Sequence, residues 1–298
     1  MDVQGIHRLA AAQGSRVFEG DSCLWVEKRK FFLESVPPHL PVHLEFREAA
    51  RLFLRGAAAI RYTCSEKEGT PTFEYICDDR NYGLDSLAAD ARRRVRRGID
   101  SCAVEQLDFD RLAQEGCAIN RSVLSRQGRS VHSFLTDESM WKSYMAVCQS
   151  LPFVEAYGAL AKGKLCAFTL TVLVDEYAYL LHTHSHSDYL KFSPMNALFF
   201  MVTKTMLGRP SVNCVSQGLE SFALRPDLER FKLAMGYRKR ELTRRVVVNP
   251  LARPIFSRSG AWLMEKLLKR IKPGLMEDFS VFARALRSRR AEPAASKA

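Results

Sequence analysis

The 298-residue chain contains no apolar run long enough to cross a membrane, for which about 18 consecutive apolar residues are needed. The N-terminal sequence MDVQGIHRLAAAQGSRVFEGD lacks the basic start and apolar core of an export signal, so we expect a cytoplasmic protein. The eight cysteines include no CxxC pair. This spacing argues against a zinc knuckle or a disulfide framework and favours reduced thiols.

Net positive charge is also missing from most of the chain. Basic and acidic residues balance over 1–224, so the net charge of +12 lies entirely in the last quarter. Residues 225–245 carry a net +5 and residues 251–298 a net +7. A basic C-terminal quarter suits a phosphate-bearing cofactor, an RNA or an acidic membrane surface, and equally an ordinary solvated basic face.

Apolar periodicity predicts the order of elements from residue 102 onwards. That order is strand, helix, helix, a three-stranded antiparallel meander, helix, strand, helix and strand. The meander covers 154–161, 165–174 and 177–186, the next helix begins near Ser193 and Pro194, and a further strand covers 211–220. A helix over 226–236 and a strand over 237–250 follow.

The first hundred residues give weaker signals. Segments 57–64 and 71–78 have strand character, and the intervening EKEG suggests a hairpin. A helix is expected over 84–98, ended by Gly98. Its five arginines, Arg92, Arg93, Arg94, Arg96 and Arg97, fit either an ordinary helix surface or an anion-binding patch.

Three segments carry a family resemblance, which covers about residues 85–245: RRRVRRGIDSCAVEQL, VEAYGALAKGKLCAFTLTVLVDEYAYLLHTHSHSDYLKFSPMNALFF and SQGLESFALRPDLERFKLAMGY. Their order resembles the GCN5-related N-acetyltransferase (GNAT) superfamily, in particular the branch of FemAB-type aminoacyl transferases and BioF2-like acetyltransferases. The resemblance implies an α/β (α+β) fold with a mixed, mostly antiparallel sheet flanked by helices. The transferase domain would span 101–250.

Two flanking regions complete the expected organisation. An N-terminal α/β extension, 1–100, contains the hairpin and the arginine-rich helix, and a partial second GNAT-like unit is one interpretation of it. Basic helices and a tail fill 251–298. Within that tail, 260–274 has the pattern of an amphipathic helix with a basic face, which fits packing on the main domain or peripheral contact with the inner membrane.

One departure from the family pattern concerns the donor. Ordinary acetyltransferases of this fold place an RxxGxG/A loop before the central helix to wrap the CoA pyrophosphate. The corresponding loop here, DYLKFSPMN, has no glycine. The FemAB-like branch often lacks these glycines too, so the resemblance implies the fold without fixing the donor.

The resemblance implies a site where two neighbouring strands part and main-chain N–H groups hold an activated carbonyl. We expect Lys191, Ser193 and Asn196, at the start of the central helix, to contact the anionic part of the donor. Ser193 also fits a plain helix cap. Further substrate contacts are expected from the following residues: His182, Tyr189, Ser216, Gln217 and Lys232. For Lys232, a structural ion pair is an equal alternative.

Three of the seven histidines, His182, His184 and His186, occupy alternate positions at the end of one predicted strand. Positions i, i+2 and i+4 of a straight strand spread over about 13 Å, so one metal ion would need ligands from elsewhere, and we expect no metal. A general base suits this place better, because imidazole titrates near neutral pH. His184 or His186 is the expected base, with Glu220 as the alternative, and positioning alone is a further interpretation.

The leading hypothesis is therefore transfer of an acyl group from a thioester to an amine or hydroxyl. No tightly bound cofactor is expected, and the co-substrate would be acyl-CoA or an acidic acyl carrier protein, which suits the basic surface. Transfer of an aminoacyl group from tRNA is the first alternative. A non-catalytic nucleic-acid-binding protein is the second. The sequence indicates no oligomeric state.

Overall fold

The computed structural model of the protein describes residues 2–65, 69–127, 133–220 and 226–252. The chain forms two compact units that interleave along the sequence. The first unit comprises 1–14, 74–219 and 225–240, and the second comprises 15–73, 220–224 and 241–298. The predicted helix 260–274 and the tail lie outside the described residues.

Eight α-helices and eleven strands are formed by the described residues. The helices are α1 Val3–Ala12, α2 Phe46–Leu54, α3 Ala89–Ser101, α4 Phe109–Arg126, α5 Ser133–Thr136, α6 Glu138–Gln149, α7 Pro194–Leu207 and α8 Pro226–Ala234. The strands are β1 Val17–Glu19, β2 Leu24–Arg29, β3 Phe32–Val36, β4 Ala59–Thr63, β5 Thr70–Cys77, β6 Ala103–Leu107, β7 Val154–Ala161, β8 Lys164–Val174, β9 Tyr177–Ser185, β10 Cys214–Leu219 and β11 Arg238–Val248. None of these helices is long and apolar enough to cross a membrane.

The sheet of the first unit has the strand order β5–β10–β9–β8–β7–β6. All neighbours are antiparallel except β9 and β10, which run parallel. The predicted meander is confirmed as β7, β8 and β9. Helices α1, α4, α5 and α6 pack together, and α3, α7 and α8 form a second group. The predicted fold class, a mostly antiparallel mixed sheet flanked by helices, is confirmed.

Side-chain caps start helices α4 and α6, and burial of a tryptophan holds the two helices together. The carboxylate of Asp108 accepts from the N–H of Asp110 at the start of α4, and Asp137 does the same for Met140 of α6 at 2.8 Å. Trp141 of α6 is fully buried, and its indole N–H donates to the Leu112 carbonyl at 2.9 Å. This bond satisfies the polar atom of a large core side chain and fixes α6 on α4.

The strands of the second unit lie in the order β1–β2–β3–β4–β11. Helix α2 packs on it over a core that includes Trp25, Leu33, Leu52 and Ile60. The indole N–H of Trp25 donates to the buried carboxylate of Glu48 at 2.7 Å. This pairing lets α2 bury a charge-bearing side chain against the sheet.

Two sequence-based predictions are wrong. No hairpin joins β4 to β5, because the neighbours of β4 are β3 and β11. Helix α3 does not end at Gly98 but continues to Ser101. A Cβ added at Gly98 would lie 2.6 Å from the Ser193 carbonyl oxygen and 2.8 Å from Ala197 Cβ. Glycine is therefore required there for close packing on α7 and not for a helix stop.

Candidate functional site

The parallel pair β9 and β10 separates soon after it forms. Cys214, Val215 and Ser216 pair with Tyr177, Ala178 and Tyr179. Both strands continue beyond these pairs, β9 to Ser185 and β10 to Leu219, but within the described residues they form no further pairs with each other. The main-chain groups on the facing edges of the two strands thus border a gap, which is the arrangement expected from the sequence.

A bulge in β9 adjoins this gap. Phe168 pairs with His184 and Leu170 with Leu181, so an extra residue of β9 is inserted opposite β8. His182 lies at the bulge with a left-handed backbone, φ +48°. A non-glycine residue in this region is strained, and a bulge re-aims the side chains around it. The rings of His182 and His184 consequently lie 6.4 Å apart between centroids.

His184 is held by a buried asparagine of α4. Its Nδ1 lies 2.6 Å from Asn120 Oδ1. The amide nitrogen of Asn120 donates to the Leu135 carbonyl at 2.9 Å, so its oxygen must face the histidine. Because that oxygen can only accept, Nδ1 of His184 carries a hydrogen, and the neutral ring has its lone pair on Nε2. The tautomer is the one that a general base needs.

His182 belongs to an aromatic cluster under the same helices. Its Nε2 lies 3.3 Å from the hydroxyl of Tyr144, which also accepts from the Gln13 amide at 2.8 Å. Phe134 and Tyr144 both pack edge-on against the ring. Burial raises the pKa of Tyr144 well above its ordinary value, so this phenol stays protonated.

The turn after β9 contains two further predicted residues. His186 is the N-cap of a 3₁₀ helix, Ser187–Phe192, and its Nδ1 accepts from the N–H of Asp188 at 3.3 Å. Tyr189 packs against the His186 ring at 5.8 Å between centroids. Lys191 is exposed, with its ammonium 5.1 Å from the Phe192 ring. His186 therefore caps the turn, whereas the ring of His184 is held in place by Asn120.

Helix α7 begins at the end of that turn. Ser193 precedes Pro194 with a left-handed backbone, and its side chain makes no capping bond. The N–H groups of Asn196 and Ala197 both bond to the Ser193 carbonyl. The Asn196 amide nitrogen lies 3.7 Å from Met235 Sδ, a weak contact. Together with Gly98, these contacts fix the first turn of α7 against α3.

The other side of the gap is the end of β10. Ser216 is buried; its hydroxyl donates to Glu74 Oε1 at 2.5 Å and accepts from the N–H of Gly218 at 3.0 Å. The buried Glu74 also pairs with Arg240. Next to Ser216, the amide nitrogen of Gln217 is buried and has no hydrogen-bond partner in the described part of the chain. A buried donor of this kind is what a ligand carbonyl or phosphate would satisfy.

Lys232 of α8 brings a positive charge to this strand end. Only 6% of the residue is exposed, its Nζ donates to the Gln217 carbonyl at 2.9 Å, and it lies 4.2 Å from the centre of the Tyr75 ring. Burial lowers the pKa of Lys232 from 10.5 to about 8. At neutral pH the side chain is therefore a desolvated cation.

Glu220 lies in the second unit, unlike the residues above. Its carboxylate accepts from the Thr72 hydroxyl at 3.0 Å, and its N–H bonds to the Phe73 carbonyl.

Two residues of the site, Asn120 and Glu74, were not predicted from the sequence. The available signal was a polar residue in an otherwise apolar stretch, CAIN in α4 and TFEYIC in β5.

Comparisons with known proteins agree on the fold. No protein-family model matches the chain, and no curated protein matches it. Among solved structures, FemX is similar with a TM-score of 0.58 and 11% identity, over 85% of this chain and 92% of FemX. The C-terminal domain of a putative lysylphosphatidylglycerol synthetase from Agrobacterium fabrum gives 0.57 and 13%, over 91% and 93%.

A third similar structure is L-PGS from Bacillus licheniformis, with a TM-score of 0.52 and 13% identity, over 79% of this chain and 85% of that protein. At such identities the likeness concerns the fold. The chain therefore has the GNAT-like, FemAB-like fold that its sequence resembles.

Proposed function

We propose that the protein is an acyltransferase that moves an acyl group from an activated donor to an amine or hydroxyl. The observation that carries this proposal is the parting of β9 and β10 after three residue pairs. A parted pair leaves main-chain N–H groups without a strand partner, and such groups stabilise the oxyanion of an acyl-transfer intermediate. The similar folds support the same class of reaction: FemX, the domain of a putative lysylphosphatidylglycerol synthetase, and L-PGS.

His184 is the proposed general base. Its Nε2 removes the proton from the attacking amine or hydroxyl as the new bond to the donor carbonyl forms. The resulting oxyanion is held by N–H groups at the gap. When the tetrahedral intermediate collapses, the bond to the leaving group breaks, and the imidazolium can return the proton to it. Asn120 is a positioning residue, because it fixes the tautomer of His184.

The donor is proposed to lie along the gap between β9 and β10. Gln217 offers its buried amide nitrogen, and Lys232 supplies the cation beside it. The start of α7, with Lys191, Ser193 and Asn196, is the proposed place for the anionic part of the donor. A thioester, acyl-CoA or acyl carrier protein, is the first candidate. The thiol of such a donor can leave as a thiolate, so no acid is needed to protonate the leaving group.

Aminoacyl-tRNA is the second candidate donor, and a specific observation favours it. FemX, the synthetase domain and L-PGS align with 79–91% of this chain, so the resemblance includes both units. The name of the putative lysylphosphatidylglycerol synthetase describes the joining of lysine to phosphatidylglycerol, which is a transfer of an aminoacyl group. The exposed arginines of α3, including Arg93, Arg96 and Arg97, also suit a polyanionic donor.

The test combines donor binding with two matched histidine variants. Thermal unfolding would be followed with CoA, acyl-CoAs of several chain lengths, acyl carrier protein and charged tRNA, because a ligand that binds the native state raises the Tm. With the donor that binds, His184→Ala should lower transfer by about 10²- to 10⁴-fold, the usual contribution of a general base. His186→Ala, the control in the neighbouring turn, should keep most of the activity.

Two results would contradict the proposal. Absence of binding and turnover with every donor would remove the acyltransferase function. Equal rates for His184→Ala and the unaltered protein would leave the function but remove the base assignment.

A further inference from the structure

An exposed apolar surface with cations around it lies at one end of the second unit. Three large apolar side chains belong to it: Phe31 in the β2–β3 turn, Leu54 at the end of α2 and Leu251 after β11. Leu54 is 89% exposed, Leu251 88% and Phe31 42%. One exposed side chain of this size is ordinary, but three from separate segments at one end of the unit need a reason.

Backbone hydrogen bonds bring the three segments to the same end of the sheet. The N–H of Ala58, four residues after Leu54, donates to the Phe31 carbonyl at 2.8 Å. The N–H of Asn249 donates to the Ala58 carbonyl at 2.9 Å, and the Asn249 side-chain oxygen accepts from the N–H of Leu251. We call the surface formed by residues 28–31, 54–56 and 249–252 the apolar tip.

The apolar tip carries an excess of positive charge. Its side chains include Lys28, Arg29, Lys30 and Arg55, and its sequence contains no Asp or Glu. The carboxylate of Glu27 is bonded to the tip, where it accepts from the Phe31 N–H at 2.6 Å, and its charge is balanced by Arg16 at 2.7 Å. The chain that continues from the tip, 253–298, adds a net +7 by sequence. Exposed apolar side chains surrounded by excess cations are complementary to a surface that is apolar inside and anionic outside.

We propose that the apolar tip docks the protein on an anionic lipid surface, with Phe31, Leu54 and Leu251 inserted between headgroups. The exposed cations Lys30 and Arg55 contact the lipid phosphates. A flat protein partner would suit a continuous apolar patch, whereas isolated protruding side chains suit insertion among lipids. This site consists of residues other than the predicted contact at 260–274, and it does not depend on the proposed acyltransferase function.

Vesicle sedimentation with the full chain tests the proposal. Vesicles of phosphatidylcholine alone would be compared with vesicles containing about one third phosphatidylglycerol, and we expect binding to the anionic vesicles that weakens with salt. Leu54→Ser and Leu251→Ser should each lower the partition coefficient about tenfold, because each removes one inserted leucine. Lys30→Glu should lower it about fivefold or more, mainly at low salt.

Phe46→Ser is the matched control. Phe46 is 87% exposed and lies at the opposite end of α2 from Leu54, so its loss should leave vesicle binding unchanged. All four substituted positions are solvent-exposed, and unchanged thermal unfolding would verify that the variants fold. Three results would overturn the proposal: no binding to anionic vesicles, equal binding by Leu54→Ser and the unaltered protein, or a loss in Phe46→Ser as large as in Leu54→Ser.

Discussion

Replacing Lys232 by methionine should stabilise the protein while reducing its activity. Lys232 is buried, and its pKa is lowered from 10.5 to about 8 because burial disfavours the charged form. The difference between 10.5 and about 8 corresponds to about 3 kcal/mol of unfavourable free energy of folding at neutral pH. Methionine has a similar length and no charge, so the substitution removes that penalty.

The gain is reduced by the contacts that Lys232 makes. Its ammonium donates to the Gln217 carbonyl and lies over the Tyr75 ring. Leaving that carbonyl unsatisfied and losing the cation–π contact should together cost about 1–2 kcal/mol. We therefore expect Lys232→Met to be more stable than the unaltered protein by about 1–2 kcal/mol near pH 7.

The pH dependence separates this explanation from simple repacking. Between the folded pKa near 8 and the unfolded value of 10.5, the unfolded state binds more protons at Lys232 than the folded state does. The stability of the unaltered protein therefore rises with pH across this window relative to the variant. The advantage of Lys232→Met should shrink by about 2 kcal/mol between about pH 7 and pH 9.5.

Urea unfolding of both proteins at the two pH values measures this difference. Lys142→Met, at an exposed lysine of α6, is the control and should change stability little at either pH. A destabilised Lys232→Met, or an advantage that does not change with pH, would refute the idea that Lys232 is a costly buried cation. If the more stable variant loses acyl transfer, then the free energy spent on burying the Lys232 cation is required for activity.

Two further predictions concern the elements around the gap. Asn120→Asp places a carboxylate against Nδ1 of His184, which should raise the pKa of the imidazole and move the acid limb of the pH–rate profile to higher pH, whereas a purely structural Asn120 would leave that limb in place. Gly98→Ala should destabilise the protein by about 1–2 kcal/mol in urea unfolding, because the clash with the Ser193 carbonyl exceeds the helix-propensity gain of about 1 kcal/mol. It should also weaken donor binding. Gly208→Ala, which meets its nearest atom at 3.3 Å, should cost little, and equal effects of the two alanines would contradict the packing role of Gly98.

Local patterns in the sequence predicted the elements well wherever periodicity and capping agree. The alternation over 154–186 predicted three strands that the structure contains as β7, β8 and β9. The Ser193-Pro194 start and the Gly208 end predicted α7. These signals are local, because strand alternation and helix start residues act within a few positions of the chain.

The details of the candidate site depend on residues far apart in sequence. Asn120 and His184 are 64 residues apart, and Ser216 and Glu74 are 142 apart. No periodicity relates such residues, so the sequence could suggest a base at the end of β9 but not the side chain that fixes its tautomer. The bulge at His182 likewise arises from the pairing of β9 with β8.

The sequence by itself therefore determined the order of helices and strands from residue 102 onwards, apart from the short α5, together with the resemblance of that order to the GNAT superfamily and the polar end of β9. Only the tertiary structure decided that β4 pairs with β11, that Gly98 permits α3 to approach α7, and that β10 leaves β9 after three pairs. Apolar periodicity indicates which face of a helix or strand is buried. Which element packs against that face depends on the packing of all elements together.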